Sequence, residues 1–280
     1  MQRARGVWRA RVGTAAVLTA SLCALKAQAP STQPTAGAQA IVNTMLANED
    51  AASKRRDRFQ YMNKERSDRT GGHLWAEKVV ETAAGKVRML LEEDGQPLSA
   101  ERVAGERGRL AAIVADPAGF ARREQATKDD EAKAKQMLSV LPRAFDFDNV
   151  RDENGMLRIE LRPKADFSPA SMEERVLHGM SGALWVDAKA MRLHRIEGKL
   201  PTDMSIGFGL LATIRAGSNF DTERAPFEGG EWKTVLVDSD INGKAIFFKS
   251  ISRRQHTEHT EFRRVPNEIT VQQAVAMVEQ

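Results

Sequence analysis

The chain has 280 residues, 41% hydrophobic and 29% charged, with one cysteine and four tryptophans. That is enough to bury a real core, too mixed for a disordered tail and too poor in cysteine for a disulfide scaffold. Past the first 30 residues no apolar run approaches the roughly 20 needed to span a bilayer, so a membrane-embedded protein is not expected.

The formal charge of +4 is set by the first segment. Residues 1–29 carry Arg3, Arg5, Arg9, Arg11 and Lys26 and no acidic residue. A basic start, an apolar stretch over 14–25 and an Ala27-Gln28-Ala29 cleavage site make the pattern of a secretory signal peptide. Taking those five from the 42 basic residues leaves 37 against 38 acidic ones, a net charge of −1. Nucleic acid is therefore not an expected partner. Cys23 lies inside the apolar stretch, preceded by Leu22 where a lipoprotein signal requires a small residue, so anchoring through Cys23 is disfavoured. The mature protein is expected to be exported, to work in the periplasm and to contain no disulfide.

Residues 30–38 (PSTQPTAGA) read as a flexible spacer ahead of a single domain over 39–280. Ile41, Val42, Met45 and Leu46 then fall at helical spacing, predicting a helix over 40–56. Phe59 and Tyr61 alternate with polar residues, and 74–82 and 86–91 continue as strands of an antiparallel meander, which Gly95-Gln96-Pro97 ends. Ser99 is placed to cap a helix to Ala115, and Asp116-Pro117 to cap and start a second one to about Leu141. That second helix is read with Phe120, Met137, Leu138 and Leu141 on one apolar side. A two-helix insert over 99–141 thus interrupts a β protein.

After Pro142 the pattern returns to strands, at 156–161, 182–187, 191–200, 207–215, 218–223, 232–238, 244–250 and 255–263. Asn154-Gly155 and Asn242-Gly243 both carry the strongest short hairpin signal. Val271, Val275 and Val278 line a short terminal helix. The resulting expectation is an α+β, strand-rich protein built on one large curved antiparallel sheet with helices over one face, and ten to twelve strands in all.

No catalytic set, cofactor or metal emerges, and the protein is not expected to be an enzyme. Gly207 to Ala212 (GFGLLA) has the text of a dinucleotide fingerprint, but Pro201 interrupts the upstream segment and strand follows where a helix is needed. Gly179 to Ala183 (GMSGA) nearly matches a nucleophile elbow around Ser181, yet strand also follows. In His256-Thr257-Glu258-His259 strand alternation sends His256 and Glu258 one way and His259 the other. Asp146, Asp148, Asp152 and Asn154 fail the order of a calcium loop because Val150 stands at a ligand position.

What remains is apolar. The strands supply Trp75, Met89, Leu91, Leu184, Trp185, Ile206, Phe208, Leu210, Trp232 and Phe247, with Phe248 beside the last. All of them serve as core in any sheet. An open sheet covered by few helices leaves part of its apolar face unfilled, and these ten are the candidate lining of a cavity for lipid or acyl chains.

Residues 182–200 (GALWVDAKAMRLHRIEGKL), a strand ending in Trp-Val-Asp, a turn, and a strand alternating Arg and Glu with apolar residues, resemble the LolA/LolB-like superfamily of lipoprotein-sorting proteins and periplasmic lipid carriers. The order of elements agrees. The resemblance implies a half-open β-barrel closed by a helical lid, an acyl-chain cavity, and a membrane-bound donor or acceptor protein as partner. It also implies a lid-latching arginine, for which Arg192, Arg195 and Arg215 all qualify by position. The expectation is an exported carrier of lipid or acylated lipoprotein. The alternative is an envelope interaction module that senses lipid or docks a membrane-bound partner, and a hydrolase around Ser181 or the His256 region ranks last.

Overall fold

The computed structural model describes residues 35–55, 57–206, 212–245 and 249–280. The segment read as a signal peptide lies outside them. Helix α1 (Thr35–Ser53) leads into β1 (Arg58–Arg66), β2 (Trp75–Glu81), β3 (Lys86–Glu93) and the two-residue β4 (Gln96–Pro97). Helices α2 (Ala100–Ala115), α3 (Pro117–Arg123) and α4 (Gln125–Ala144) form the insert. Strands β5 (Phe145–Glu153) and β6 (Met156–Pro163), helix α5 (Met172–His178), and strands β7 (Ser181–Asp187) and β8 (Leu193–Lys199) follow. Strands β9 (Met204–Ile206), β10 (Ala212–Ile214), β11 (Asn219–Phe227), β12 (Glu231–Ala245) and β13 (Lys249–Val265), then helix α6 (Val271–Val278), complete the chain.

The strands form one antiparallel sheet in the order β4-β3-β2-β1-β13-β12-β11-β8-β7-β6-β5, with β9 and β10 added beside β12. It does not close: β4 and β5 are its edges. The expected architecture, a large open antiparallel sheet carrying helices, is therefore the observed one.

Register fixes the two faces. Leu184, Ile196, Thr222, Val237, Thr257 and Glu65 are successive cross-strand partners and share one face. On this face α1 and α4 pack Ala38, Val42, Met45, Val140 and Leu141 against Phe145, Phe147, Ile159, Leu184, Val186 and Ile196. Val80 and Val87 stand on the other face, where α2, α3 and α6 bring Leu110, Ile113, Phe120, Val271 and Val275 onto them. Each fully buried Leu, Val or Phe contributes about 1.5–3 kcal/mol. The helices thus cover opposite faces at the two ends of the sheet, not the one face expected, and the strands number thirteen among the described residues rather than ten to twelve.

Several predicted features hold at atomic detail. Ser99 accepts from the Arg102 amide and Asp116 from the Gly119 amide, with Pro117 at the first helical position. Asn154 and Gly155 both have positive φ and close the β5–β6 hairpin, and the short terminal helix is α6, with Val271, Val275 and Val278 buried, capped by a Thr270–Gln273 box that had not been singled out.

Others need correction. The helix begins at Thr35, so residues 35–38 are its first turn and Ala38 is buried core; the small residues of the supposed spacer let α1 lie close against the sheet. Gln96-Pro97 extends the sheet by two residues after the Asp94-Gly95 turn. The insert holds three helices, broken at Glu124, whose carboxylate is drawn to the Lys86 amide and the Arg88 guanidinium. The break lets Phe120 enter one core while Met137, Leu138 and Leu141 serve the other. Helix α4 runs through Pro142 to Ala144; only its last turn is involved, and Lys164 Nζ donates to the Pro142 carbonyl at 3.0 Å. Asn242-Gly243 is no turn but lies inside β12, opposite Ser252 and Ile251. A Cβ at Gly243 would stand 2.7 Å from the Thr213 oxygen, so the glycine admits β10 alongside. Helix α5 was not foreseen, although Ser171 and Glu174 carry a cap signature and Ser171 accepts from the Glu174 amide.

One glycine shapes the covered face. Gly198 pairs with Gly182 across β7–β8 and with Phe220 of β11, and a Cβ on Gly198 would lie 2.5 Å from the Phe220 ring. The bare backbone lets that ring settle on the sheet. Gly198→Val is expected to lower stability by about 1–3 kcal/mol through overpacking, read from a urea unfolding midpoint.

Candidate functional site

Where α1 and α4 bridge the sheet they leave an open groove of about 1120 Å3. Its floor is Leu193, Ile196, Phe220 and Thr222 of β8 and β11, its walls are Leu46 of α1 and Met137, Leu138 and Leu141 of α4, and Leu177 of α5 borders it. The sequence dictates this arrangement locally. On α1, Val42 and Met45 point into the core while Leu46 and Glu49, three apart, share the adjoining stripe toward the groove. On α4, Val140 and Leu141 are fully buried, whereas the half before Gln136 touches its surroundings mainly through polar groups. Lys135 pairs with Asp50 at 2.9 Å and Lys86 with Glu131 at 2.6 Å, and Lys128 Nζ donates to the Ala83 carbonyl at 3.1 Å. Exposed pairs of this kind are each worth about 0–1 kcal/mol.

At one end of the groove sits a buried charge cluster. Glu49 of α1 receives Arg192 at 2.8 and 3.1 Å and Arg224 at 2.6 Å, and also accepts from the Leu193 amide at 3.1 Å. Arg224 donates further to the Trp232 carbonyl at 2.9 Å. The Arg192, Arg224 and Glu49 side chains are only 8%, 16% and 14% exposed. Burial by itself would raise the Glu49 carboxyl, but the Arg192 hydrogen bond and the Arg224 charge and hydrogen bond outweigh it and hold the group below its ordinary 4.5. The cluster ties the last turns of α1 to β8 and β11.

This assigns places to the three arginines that qualified as a latch. Arg192 binds helix α1. Arg195 faces the other side of the sheet, paired with Asp221 at 2.6 Å and stacked 4.8 Å from the Trp185 ring. Arg215 is exposed. Arg224 was not among them; the strand was expected to end at residue 223, whereas β11 continues and alternation puts Arg224 on the same face as Thr222.

None of the candidate lining residues whose side chains are described borders this groove. Met89 and Leu91 border a separate recess of about 390 Å3 beside the end of α6. Leu184 is sealed in the core, and Trp185, next to it in the strand, projects to the opposite face between Arg158 and Arg195. Trp75 lies under Arg69 and donates to Glu93, and Trp232 is buried edge-on to His194. Ile206 is in β9, with its side chain not described; Phe208, Leu210, Phe247 and Phe248 lie outside the described residues. Size in a strand selected these residues, and size does not report which face a helix leaves open. The α4 stripe Met137, Leu138, Leu141 was the better signal.

The remaining motifs resolve into structural roles. Ser181 opens strand β7; residues 207–211 of GFGLLA lie outside the described residues, and the antiparallel strands Met204–Ile206 and Ala212–Ile214 stand on either side of them. His256 donates to Asp238 at 2.6 Å and lies 3.3 Å from Glu258. His259 donates to the Thr234 carbonyl at 2.9 Å and meets Tyr61 in a T-shaped contact, and burial holds it below the usual histidine range. Among the described residues no group of three or more His, Cys, Asp or Glu is placed to hold a metal. Compared with protein-family models, curated proteins and solved structures, the chain matches none.

Removing Glu49 leaves two buried guanidinium groups facing each other. Glu49→Ala is expected to cost about 3–5 kcal/mol of unfolding free energy, measured by urea titration at pH 7. Because the folded-state carboxyl titrates below its unfolded value of about 4.5, its stabilisation is complete above that pH and is lost as pH falls through the lowered value. The wild-type midpoint should therefore drop steeply on acidification below about pH 4.5, and the gap to Glu49→Ala should shrink there.

Proposed function

We propose that this protein is an exported carrier that holds lipid or lipoprotein acyl chains in the groove under α1 and α4, in the manner of the LolA/LolB-like carriers it resembles. The groove is the observation that supports this reading. At about 1120 Å3 it exceeds the roughly 300–1,000 Å3 of ordinary small-ligand sites, and Leu, Ile, Met and Phe side chains make most of its floor and inner walls, with polar residues of α1 and α4 along its rim. A long flexible apolar ligand suits such a space better than a compact polar one. The helical insert supplies the roof, and residues 1–29 supply the export signal.

Transport would work by differential burial. Each methylene withdrawn from water is worth about 0.8 kcal/mol, so a handful of buried carbons outweighs part of the cost of immobilising the chain and still permits release. Handover runs to an acceptor membrane or protein that offers the acyl chain a better site. The polar attachment of the first half of α4 suits passage of a chain, since opening there breaks surface ion pairs and leaves Val140 and Leu141 in the core.

Native mass spectrometry with lipid extraction, on mature protein purified from an exporting host, tests the reading. A co-purifying acylated species near one-to-one is the expected result. A ligand-free spectrum, with no uptake of added phospholipid or lipopeptide, would overturn it in favour of an interaction module. Thr222→Trp fills the groove from the sheet side. It should weaken acyl-chain binding at least tenfold, since excluding two methylenes costs about 1.6 kcal/mol, while leaving the unfolding midpoint near wild type. Undiminished binding would place the ligand elsewhere.

A further inference from the structure

The charge cluster at the end of the groove is unbalanced. Arg192 and Arg224 carry two positive charges and share one carboxylate, Glu49; among the described residues neither has another acidic partner within 4 Å. The other acids bordering the groove are already committed, Asp50 to Lys54 and Lys135, and Glu131 to Lys86. A net positive charge therefore remains on two largely buried guanidinium groups, an arrangement that is costly unless another anion arrives.

The two arginines are not equivalent. Arg192 spends Nε and one terminal nitrogen on a two-point contact with Glu49 and does not border the groove. Arg224 gives one N–H to Glu49 and one to the Trp232 carbonyl, and it does border the groove. A guanidinium has five N–H donors in a fixed fork, so Arg224 keeps donors beyond those two. Its surplus charge and spare donors stand where the apolar floor of Leu193, Ile196 and Phe220 ends.

We propose that Arg224 receives the oxyanion head of an amphiphile whose chain lies in the groove, so that the ligand is an anionic single-chain or lipid amphiphile, a carboxylate or a phosphate ester, rather than a neutral acyl amide. This rests on the groove being the binding site and adds the polarity of the ligand's head. The bound oxyanion completes the neutralisation that Glu49 leaves half done, and its hydrogen bonds to Arg224 are charge-assisted. The head also sets the direction of the chain, tail along Phe220 and toward α4.

The test compares three probes of equal chain length, hexadecanoate, hexadecyl phosphate and hexadecanol, by titration calorimetry on the mature protein, with Arg224→Gln and Arg224→Lys beside the wild type. The expected result is at least tenfold tighter binding of an anionic probe than of hexadecanol. Arg224→Gln should remove that preference while still binding hexadecanol, which shows that its groove is folded, and Arg224→Lys should restore part of it. The tighter of the two anions identifies the head as carboxylate or phosphate. Equal binding of all three by the wild type, or a preference that survives in Arg224→Gln, would overturn the inference and leave the carrier reading standing. Failure of the wild type to bind any probe would overturn the groove itself, and this inference with it.

Discussion

An antiparallel sheet that does not close must bury its apolar residues under something other than itself, and here the two ends of the sheet need cover on opposite faces. Alternation places Leu184, Ile159 and Phe147 on one face at the β5 end, and Val80, Val87 and Met89 on the other face at the β4 end. A single layer of helices cannot satisfy both. The chain meets the constraint by sending its helical insert around the β2–β3 turn, with α2 and α3 on one side and α4 on the other. Glu124, bonded to the Lys86 amide and paired with Arg88, pins the crossing point. Without that break α3 and α4 would run on as one helix able to serve only one core.

The groove follows from this division. Two helices, α1 and the second half of α4, carry the apolar cover for the β5–β8 end, and they fill it with Val42, Met45, Val140 and Leu141. Toward β11 and β12 the face changes character, to Thr222, Arg224 and Thr234, and no helix packs tightly there. What remains between is a trough whose floor is kept flat by Gly198, since a side chain there would lift Phe220, and by Gly182, where a side chain would push on the β8 backbone. Site and fold are thus products of the same pattern.

Much of the fold could be read from local chemistry. Ser99, Asp116-Pro117, Asn154-Gly155 and Thr270 each act within four residues, so their meaning does not depend on the rest of the chain. Where the reading failed, the deciding contact was distant. Asn242-Gly243 has hairpin text, but β10 and β13 flank it and make it strand interior. Phe120 and Met137 share an apolar stripe only if the helix is continuous, and the interaction that interrupts it comes from Lys86 and Arg88, far upstream. The groove suffered the same way. Leu184 and Trp185 are both large, apolar and adjacent, yet the first is core and the second faces away. Arg224 becomes a groove residue because β11 runs past residue 223, where the strand was expected to end, and keeps it on the face of Thr222.

The placement of charge is the least expected feature, and physics constrains how it is read. A buried ion pair is weak evidence for stability, because desolvation offsets most of the Coulomb gain, and a two-to-one cluster is worse placed than a pair. If Glu49 served only to fasten α1, one arginine would do, and Val or Leu at position 224 would pack against Leu193 and Ile196 at less cost. Arg192 already grips Glu49 through both oxygens. The second arginine joins Glu49 to β11 and puts a further positive charge where the apolar floor of the groove ends. On the proposal made above, that charge meets the anionic end of a ligand whose apolar body lies along Phe220.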